Sequence, residues 1–261
     1  MANHPPRKSV LFISLAAAAF ATAAHAEPEE RQTAELCAQE AYTMGLRYQQ
    51  QSAEVAALQR QGFALATLRL EQAIERHGSE ANLAIISDVD ETLVDNSALL
   101  VRDMQKCHDY TAWDTWLHWE REGTPRMIPG ALEFLEYADS QGVAIFYVSD
   151  RYEENKADTL NTLQELGMPQ VSDESVLLLG PPKQERRAQV EGDYTLVMQL
   201  GDTLHDFSEV FVSSVPLDEQ HAQVEANAER FGHDWIVFPN ATYGTWSDAE
   251  LEAWDAPFLT E

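Results

Sequence analysis

Short apolar runs alternate with longer stretches of helical periodicity along most of the chain. Leu58, Phe63, Leu65, Leu68, Leu70 and Ile74 recur near a 3.6-residue spacing and predict helix over 34–77. Gly45 and Gly62 are expected to divide that helix, and Gly78 to stop it. Leu83-Ala84-Ile85-Ile86-Ser87 then predicts a buried strand over 83–88. Residues 97–127 mix charges with Tyr110, Trp113, Trp116 and Trp119 and read as a small helical insertion. Beyond Pro129-Gly130, helix is expected over about 130–141, strand over 143–148, helix over about 152–166 and strand over 175–179. Helix over 183–190, strand over 194–200, helix over 217–231 and strand over 234–238 complete the pattern. Strands alternating with helices predict a parallel sheet covered on both faces.

The strand ends carry the chemistry. The first closes on Asp88 and Asp90, and strand alternation points both to one side with Val89 opposite. Two like charges at a buried strand end are costly without a compensating cation or hydrogen bonds. The second strand closes on Ser149-Asp150-Arg151, the third leads to Pro181-Pro182-Lys183, and the fourth to Gly201-Asp202 with Asp206 four residues on. In a parallel sheet these ends share one rim, where open α/β sheets place their ligands. Phosphoryl transfer asks for such a set: a nucleophile, charge neutralisation and a proton for the leaving group. Clustered Asp88, Asp90 and Asp202 call for a hard cation, and oxygen donors of this kind suit Mg²⁺. Lys183 can neutralise both Asp88 and a phosphate, and Ser149 can donate to a phosphoryl oxygen.

The first residues change the picture of where the protein works. Arg7 and Lys8 precede an apolar, alanine-rich run from Val10 to Ala24, and Ala24-His25-Ala26 offers a small-X-small cleavage pattern. Residues 1–26 therefore read as a cleaved signal peptide, with the mature protein in the periplasm or secreted. The apolar run is short for a membrane anchor, and no cysteine lies at the cleavage point for lipid attachment. Loss of Arg7 and Lys8 leaves 15 Lys+Arg against 44 Asp+Glu, a formal charge of −29. Such a surface repels nucleic-acid duplexes but leaves small phosphorylated substrates open. Cys37 and Cys107 lack metal or redox spacing; after export they form either a disulfide or two buried thiols.

These motifs resemble the haloacid dehalogenase superfamily, and within it the class C bacterial acid phosphatases, which include lipoprotein 5′-nucleotidases. The resemblance rests on DVDETLVDNS (88–97), PGALEFLEYADSQGVAIFYVSDR (129–151), LLLGPPKQERR (177–187) and GDTLHDF (201–207), with FPNATYGTW (238–246) in support. It runs from about residue 40 to about 250. It implies a Rossmann-like sheet with helices on both faces, a small helical cap and N-terminal helices. The implied division is an N-terminal helical region at 27–82, a phosphatase core at 83–250 with the cap inserted at about 97–128, and a tail at 251–261. By resemblance Asp88 is the nucleophile that becomes phosphorylated. Asp90 is the acid–base group, and its carbonyl binds Mg²⁺. Ser149 and Lys183 hold the phosphoryl group. Asp88, Asp90 and Asp202 ligate Mg²⁺, with Asp206 supporting from nearby. Two positions depart from the family: Asp150 and Thr203 each stand where Asn is usual. The missing lipid-attachment cysteine departs from the lipoprotein members.

The remaining candidates are less determined by their types. Asn96 either contacts substrate or caps the following helix. Tyr243 either stacks on a nucleobase or packs. Trp113, Trp116 and Trp119 favour packing over a base-stacking box. Arg76-His77-Gly78 resembles a phosphohistidine motif but sits at an expected helix end, where His77 and Gly78 serve as terminal residues. The expected function is an exported Mg²⁺-dependent phosphomonoesterase acting on nucleoside 5′-monophosphates, without a membrane anchor. A broad-specificity phosphatase or phosphotransferase is the first rival. A non-catalytic phosphate-binding or storage relative is the second. Oligomeric state stays open, a homodimer included.

Overall fold

The computed structural model describes residues 37–78, 81–247 and 249–257. The expected signal peptide over 1–26 lies outside them. In chain order the elements are α1 (Thr43–Gln51), α2 (Ala53–His77), β1 (Leu83–Ser87), β2 (Val94–Asp95), α3 (Ser97–Gln105), α4 (Trp116–Glu122), β3 (Arg126–Met127), α5 (Ala131–Ser140), β4 (Ala144–Tyr152), α6 (Lys156–Glu165), β5 (Val176–Leu179), α7 (Lys183–Asp193), β6 (Thr195–Gly201), α8 (Leu217–Ala226) and β7 (Trp235–Val237). Five of the strands form one parallel sheet in the order β5-β4-β1-β6-β7. The chain thus winds outward from β1 in both directions, which opens a crevice beyond the carboxyl end of β1.

Alternation along β1 explains the layering. Leu83 and Ile85 join Phe63, Leu70, Phe134 and Leu135 in one core, beneath α2 and α5. Ala84 and Ile86 face the other way, onto Val148 and Val190 beneath α7. Both faces of the sheet are therefore apolar and covered, which explains why β1 reads as a continuous apolar run.

The helical N-terminal segment breaks at Ser52, not at either glycine. Ser52 is extended, and its side chain accepts from the amides of Glu54 and Val55 at 3.1 and 3.3 Å, capping α2. Gly45 and Gly62 stay helical because helix dihedrals suit them, and they serve close approach instead. A Cβ on Gly45 would collide with the Ala241 carbonyl, and one on Gly62 would sit 2.7 Å from the Phe238 ring. Gly78 does stop α2, with φ +82°.

The insertion after β1 is helical as expected, and it stands on a base the pattern did not reveal. β2 and β3 pair antiparallel, Val94 with Met127 and Asp95 with Arg126. Above that base Leu99, Leu100, Tyr110 and Trp116 form a small core together with Leu46 of α1. A disulfide between Cys37 and Cys107 ties the start of the described chain to the end of α3. Two further expectations shift. β4 runs on through Arg151 to Tyr152, so Ser149 sits within the strand. α8 stops at Ala226, five residues before the expected end.

Candidate active site

The crevice assembles from the carboxyl ends of four neighbouring strands, β5, β4, β1 and β6. Asp88 follows β1, and its amide still joins the sheet by donating to the Leu200 carbonyl at 2.9 Å. Lys183 opens α7 behind Pro182, whose fixed φ starts the helix there. Its ammonium donates to Asp88 Oδ1 at 2.7 Å and to Asp206 Oδ1 at 2.5 Å, and it lies 3.9 Å from Asp150. Asp202 follows β6. Asp206 lies in a single 3-10 turn, Leu204–Asp206, stitched by a capping box with Thr203. Carboxylate oxygens of Asp88, Asp202 and Asp206 all lie within 4.8 Å of one another.

Charge and burial decide what this group needs. Burial pushes the Asp88 carboxyl well above its usual range, and the Lys183 ammonium only partly opposes it. Asp202 is likewise pushed up by burial and by Asp206. Asp206 goes the other way: burial pushes it up, but Lys183, His205 and the Thr203 amide together hold it below the usual range. Burial disfavours the charged ammonium of Lys183, yet Asp206 and Asp88 hold it charged above its normal range. Three acids therefore share one cation. A divalent ion among hard oxygen donors fits the remaining negative charge, and Asp202 is the best placed to hold it. Among the described residues, its Oδ1 accepts only from Thr92 Oγ1 at 3.1 Å and its Oδ2 only from Asn240 Nδ2 at 2.7 Å, both neutral donors.

Asp90 stands apart from the trio. Its carboxylate is gripped by Arg151 through Nε and Nη2 at 2.8–3.1 Å, by Ser149 Oγ at 3.1 Å and by Asn96 Nδ2 at 2.9 Å. Ser149 is fully buried and its hydroxyl faces the same space.

Asn96 does not take the capping role expected of it. It occupies the residue before α3 but makes no side-chain cap bond, and it is fully buried. Its amide instead spans from Asp90 to Trp119 Nε1, which donates to Asn96 Oδ1 at 2.8 Å. Asp95 supplies the local cap by accepting from the Ser97 amide. Tyr243 reaches the rim: its hydroxyl hydrogen-bonds with Glu91, and Trp113 and Trp116 meet its ring edge-on at 5.2 and 6.1 Å. Trp116 is buried and Trp119 half-buried, as packing residues should be, while Trp113 is 42% exposed.

The residues missed by sequence reasoning are Arg151, Thr92, Asn240 and Glu91. All four lie inside family-like segments, Glu91 and Thr92 in 88–97, Arg151 in 129–151 and Asn240 in 238–246, which was the available signal. Both departures from the family pattern have partners. Asp150 pairs with Arg186 at 2.5 Å and faces His205 at 3.4 Å. Thr203 donates from Oγ1 and from its amide to Asp206 Oδ2 at 2.8 and 2.9 Å.

A doubly wound parallel sheet whose central strand ends in paired aspartates, with a lysine and further carboxylates from neighbouring strand ends, defines a phosphoric monoester hydrolase of the haloacid dehalogenase type. The chain belongs to the HAD superfamily, subfamily IIIB (acid phosphatase), whose family model matches residues 8–246. It is similar to the class C acid phosphatase of Bacillus anthracis, with 31% identity and a TM-score of 0.75 over 80% of this chain and 87% of that one. A structure of the class C acid phosphatase from Bacillus anthracis with tungstate bound matches at 30% identity and a TM-score of 0.74, over 84% and 93% of the two chains.

Proposed function

We propose that this acid phosphatase is exported, uses Mg²⁺ and hydrolyses nucleoside 5′-monophosphates through an aspartyl-phosphate intermediate. The observation that carries the mechanism is the Lys183 ammonium shared between Asp88 and Asp206 beside Asp202. Asp88 Oδ forms a bond to phosphorus as the ester P–O bond breaks, and the departing oxygen takes its proton from Asp90. Asp90 then takes a proton from water as that water cleaves the aspartyl phosphate. Lys183 and Ser149 hold the phosphoryl oxygens. Asp88, Asp202 and the Asp90 carbonyl would hold Mg²⁺, which would neutralise charge on the phosphoryl group. The relative's bound tungstate supports a crevice suited to tetrahedral oxyanions.

Support for export comes from the predicted leader and from the disulfide, a bond that persists in oxidising compartments. No helix among the described residues is long and apolar enough to cross a membrane. The partly exposed Trp113 beside Tyr243 supports a nucleobase as leaving-group partner. One observation favours a broader phosphatase: the Tyr243 hydroxyl is engaged by Glu91 and its ring edges by tryptophans, as a packing residue's would be. The test is a panel of phosphomonoesters assayed on mature protein, with chelator and with Mg²⁺ restored, alongside Asp88→Asn. Activity lost on chelation, regained with Mg²⁺ and absent from a folded Asp88→Asn protein is the expected result. Turnover by that variant would overturn the mechanism, and indifference to which ester is offered would favour the broader phosphatase.

A further inference from the structure

Asp90 sits in a set of donors that reaches into the cap. Asn96, Arg151 and Ser149 together occupy both of its carboxylate oxygens. Each is held from behind. Trp119 on α4 donates to Asn96 Oδ1 at 2.8 Å. The next residue on that helix, Glu120, is buried and accepts from the Tyr152 amide at 3.1 Å and from Asn155 Nδ2 at 2.7 Å. Glu120 thereby ties α4 to the end of β4, where Arg151 lies. The Ser149 hydroxyl accepts from the Arg151 amide at 3.1 Å. One short helix of the cap thus holds the Asn96 side chain directly and the backbone next to Arg151.

A carboxyl that protonates one oxygen atom and then accepts a proton from water gains rate only when its plane is fixed. A surface loop residue with free rotation would lose most of that gain. We infer that Trp119, acting through Asn96, and Arg151 are positioning residues that set the carboxylate plane of Asp90, so that the cap governs proton delivery to the leaving group. The inference rests on the acid–base reading of Asp90 given above.

The leaving group supplies the test. An alkoxide must receive a proton as the P–O bond breaks, whereas a nitrophenolate departs as a stable anion. Because kcat/KM covers steps through formation of the aspartyl phosphate, it isolates this proton transfer from the later attack of water. The mature protein, Asp90→Asn, Trp119→Phe and Arg151→Lys are compared on an alkyl phosphate and on p-nitrophenyl phosphate. Trp119→Phe keeps the ring and removes only the Nε1 donor. The expected loss in kcat/KM is about 10- to 100-fold on the alkyl ester, the range for outer groups that orient a reacting side chain, and within about threefold on the aryl ester. Equal losses on both esters, or no loss, in a Trp119→Phe protein with unchanged unfolding midpoint would overturn the positioning role. Should that variant fail to fold, Arg151→Lys, which keeps the charge but not the fork, is read on the same pair with the same two outcomes. If Asp90→Asn itself loses both esters equally, the acid–base reading fails rather than the positioning.

Discussion

Asp202 and Asp206 look interchangeable in the sequence and differ sharply in their surroundings. Both oxygens of Asp206 are committed to strong donors, Oδ1 to Lys183 and Oδ2 to the Thr203 amide and hydroxyl. Asp202 has lone pairs left for a cation. Asp202→Ala is therefore expected to raise the Mg²⁺ concentration for half-maximal activity far more than Asp206→Ala. Asp206→Ala should instead cost on the order of 3 kcal/mol in urea unfolding, because Lys183 loses a buried partner. Equal shifts in the Mg²⁺ titration would mean that the ligand roles are wrongly divided. Tyr243 can be dissected the same way. Tyr243→Phe removes only the hydroxyl bonded to Glu91, while Tyr243→Ala removes the ring. If the ring stacks on a nucleobase, alanine should cost about 1–3 kcal/mol in nucleotide kcat/KM, with phenylalanine near wild type and a small aryl phosphate little affected. Equal losses on both substrates would make Tyr243 a packing residue. Asp88, Asp90, Lys183 and Asp202 were legible because acids and a lysine at apolar strand ends are costly without a purpose. Arg151 and Asn240 were not, because their partners lie 61 and 38 residues away and an Arg or Asn at such positions is ordinary.

At the scale of elements, the strands were legible because β1, β4 and β6 are apolar runs bounded by polar turns. The misread features were all local contests that tertiary contacts settled. Glycine's low helix propensity argued for breaks at Gly45 and Gly62, but each is needed where another segment crosses closely. The actual break follows from Ser52, a residue type that competes for backbone amides. Ser52→Ala should then cost about 1 kcal/mol, read as a lowered urea midpoint with unchanged slope. The β2–β3 pair is two residues long on each side, too short to leave a periodic signature. The cysteine pair left two alternatives open, and the structure chooses the bridge, across a sequence separation of 70. A loop of that length contributes about 4 kcal/mol by restricting the unfolded chain. Dithiothreitol should therefore lower the urea midpoint of the mature protein, and a Cys37→Ser/Cys107→Ser double variant should match the reduced protein and ignore the reductant. A midpoint indifferent to reductant would mean that the bridge does not form.

Across the whole molecule, net charge and buried carboxyls respond to pH on different terms. The formal charge of −27 counts every carboxyl as ionised, the buried ones included. Several of those buried carboxyls are held well above the usual carboxylate range. Burial and Asp90 push Glu91 up to about 8, and burial pushes Glu120 up to about 7 despite its bond from Asn155. Asp88 and Asp202 are raised as well. In the unfolded chain such groups release their protons near about pH 4. Between that pH and their folded values the native state binds more protons. The contribution of these raised carboxyls to stability is thus fully present below about pH 4 and is lost as pH rises through about 7 and 8. Glu91 and Glu120 are each 3% exposed or less, and each contributes on the order of 3–5 kcal/mol to that loss. Chelated protein should accordingly melt at a higher temperature at pH 5.5 than at pH 8. Added sodium chloride should screen the surface acids but leave the slope in place, since buried pairs are screened far less. Glu120→Gln, which cannot ionise, should flatten it. Mg²⁺ should raise the melting temperature more at pH 8 than at pH 5.5, because at the lower pH protons on Asp88 and Asp202 compete with the ion. A slope abolished by salt would assign the pH dependence to the surface. A Mg²⁺ effect of equal size at both pH values would separate the ion from those two carboxylates.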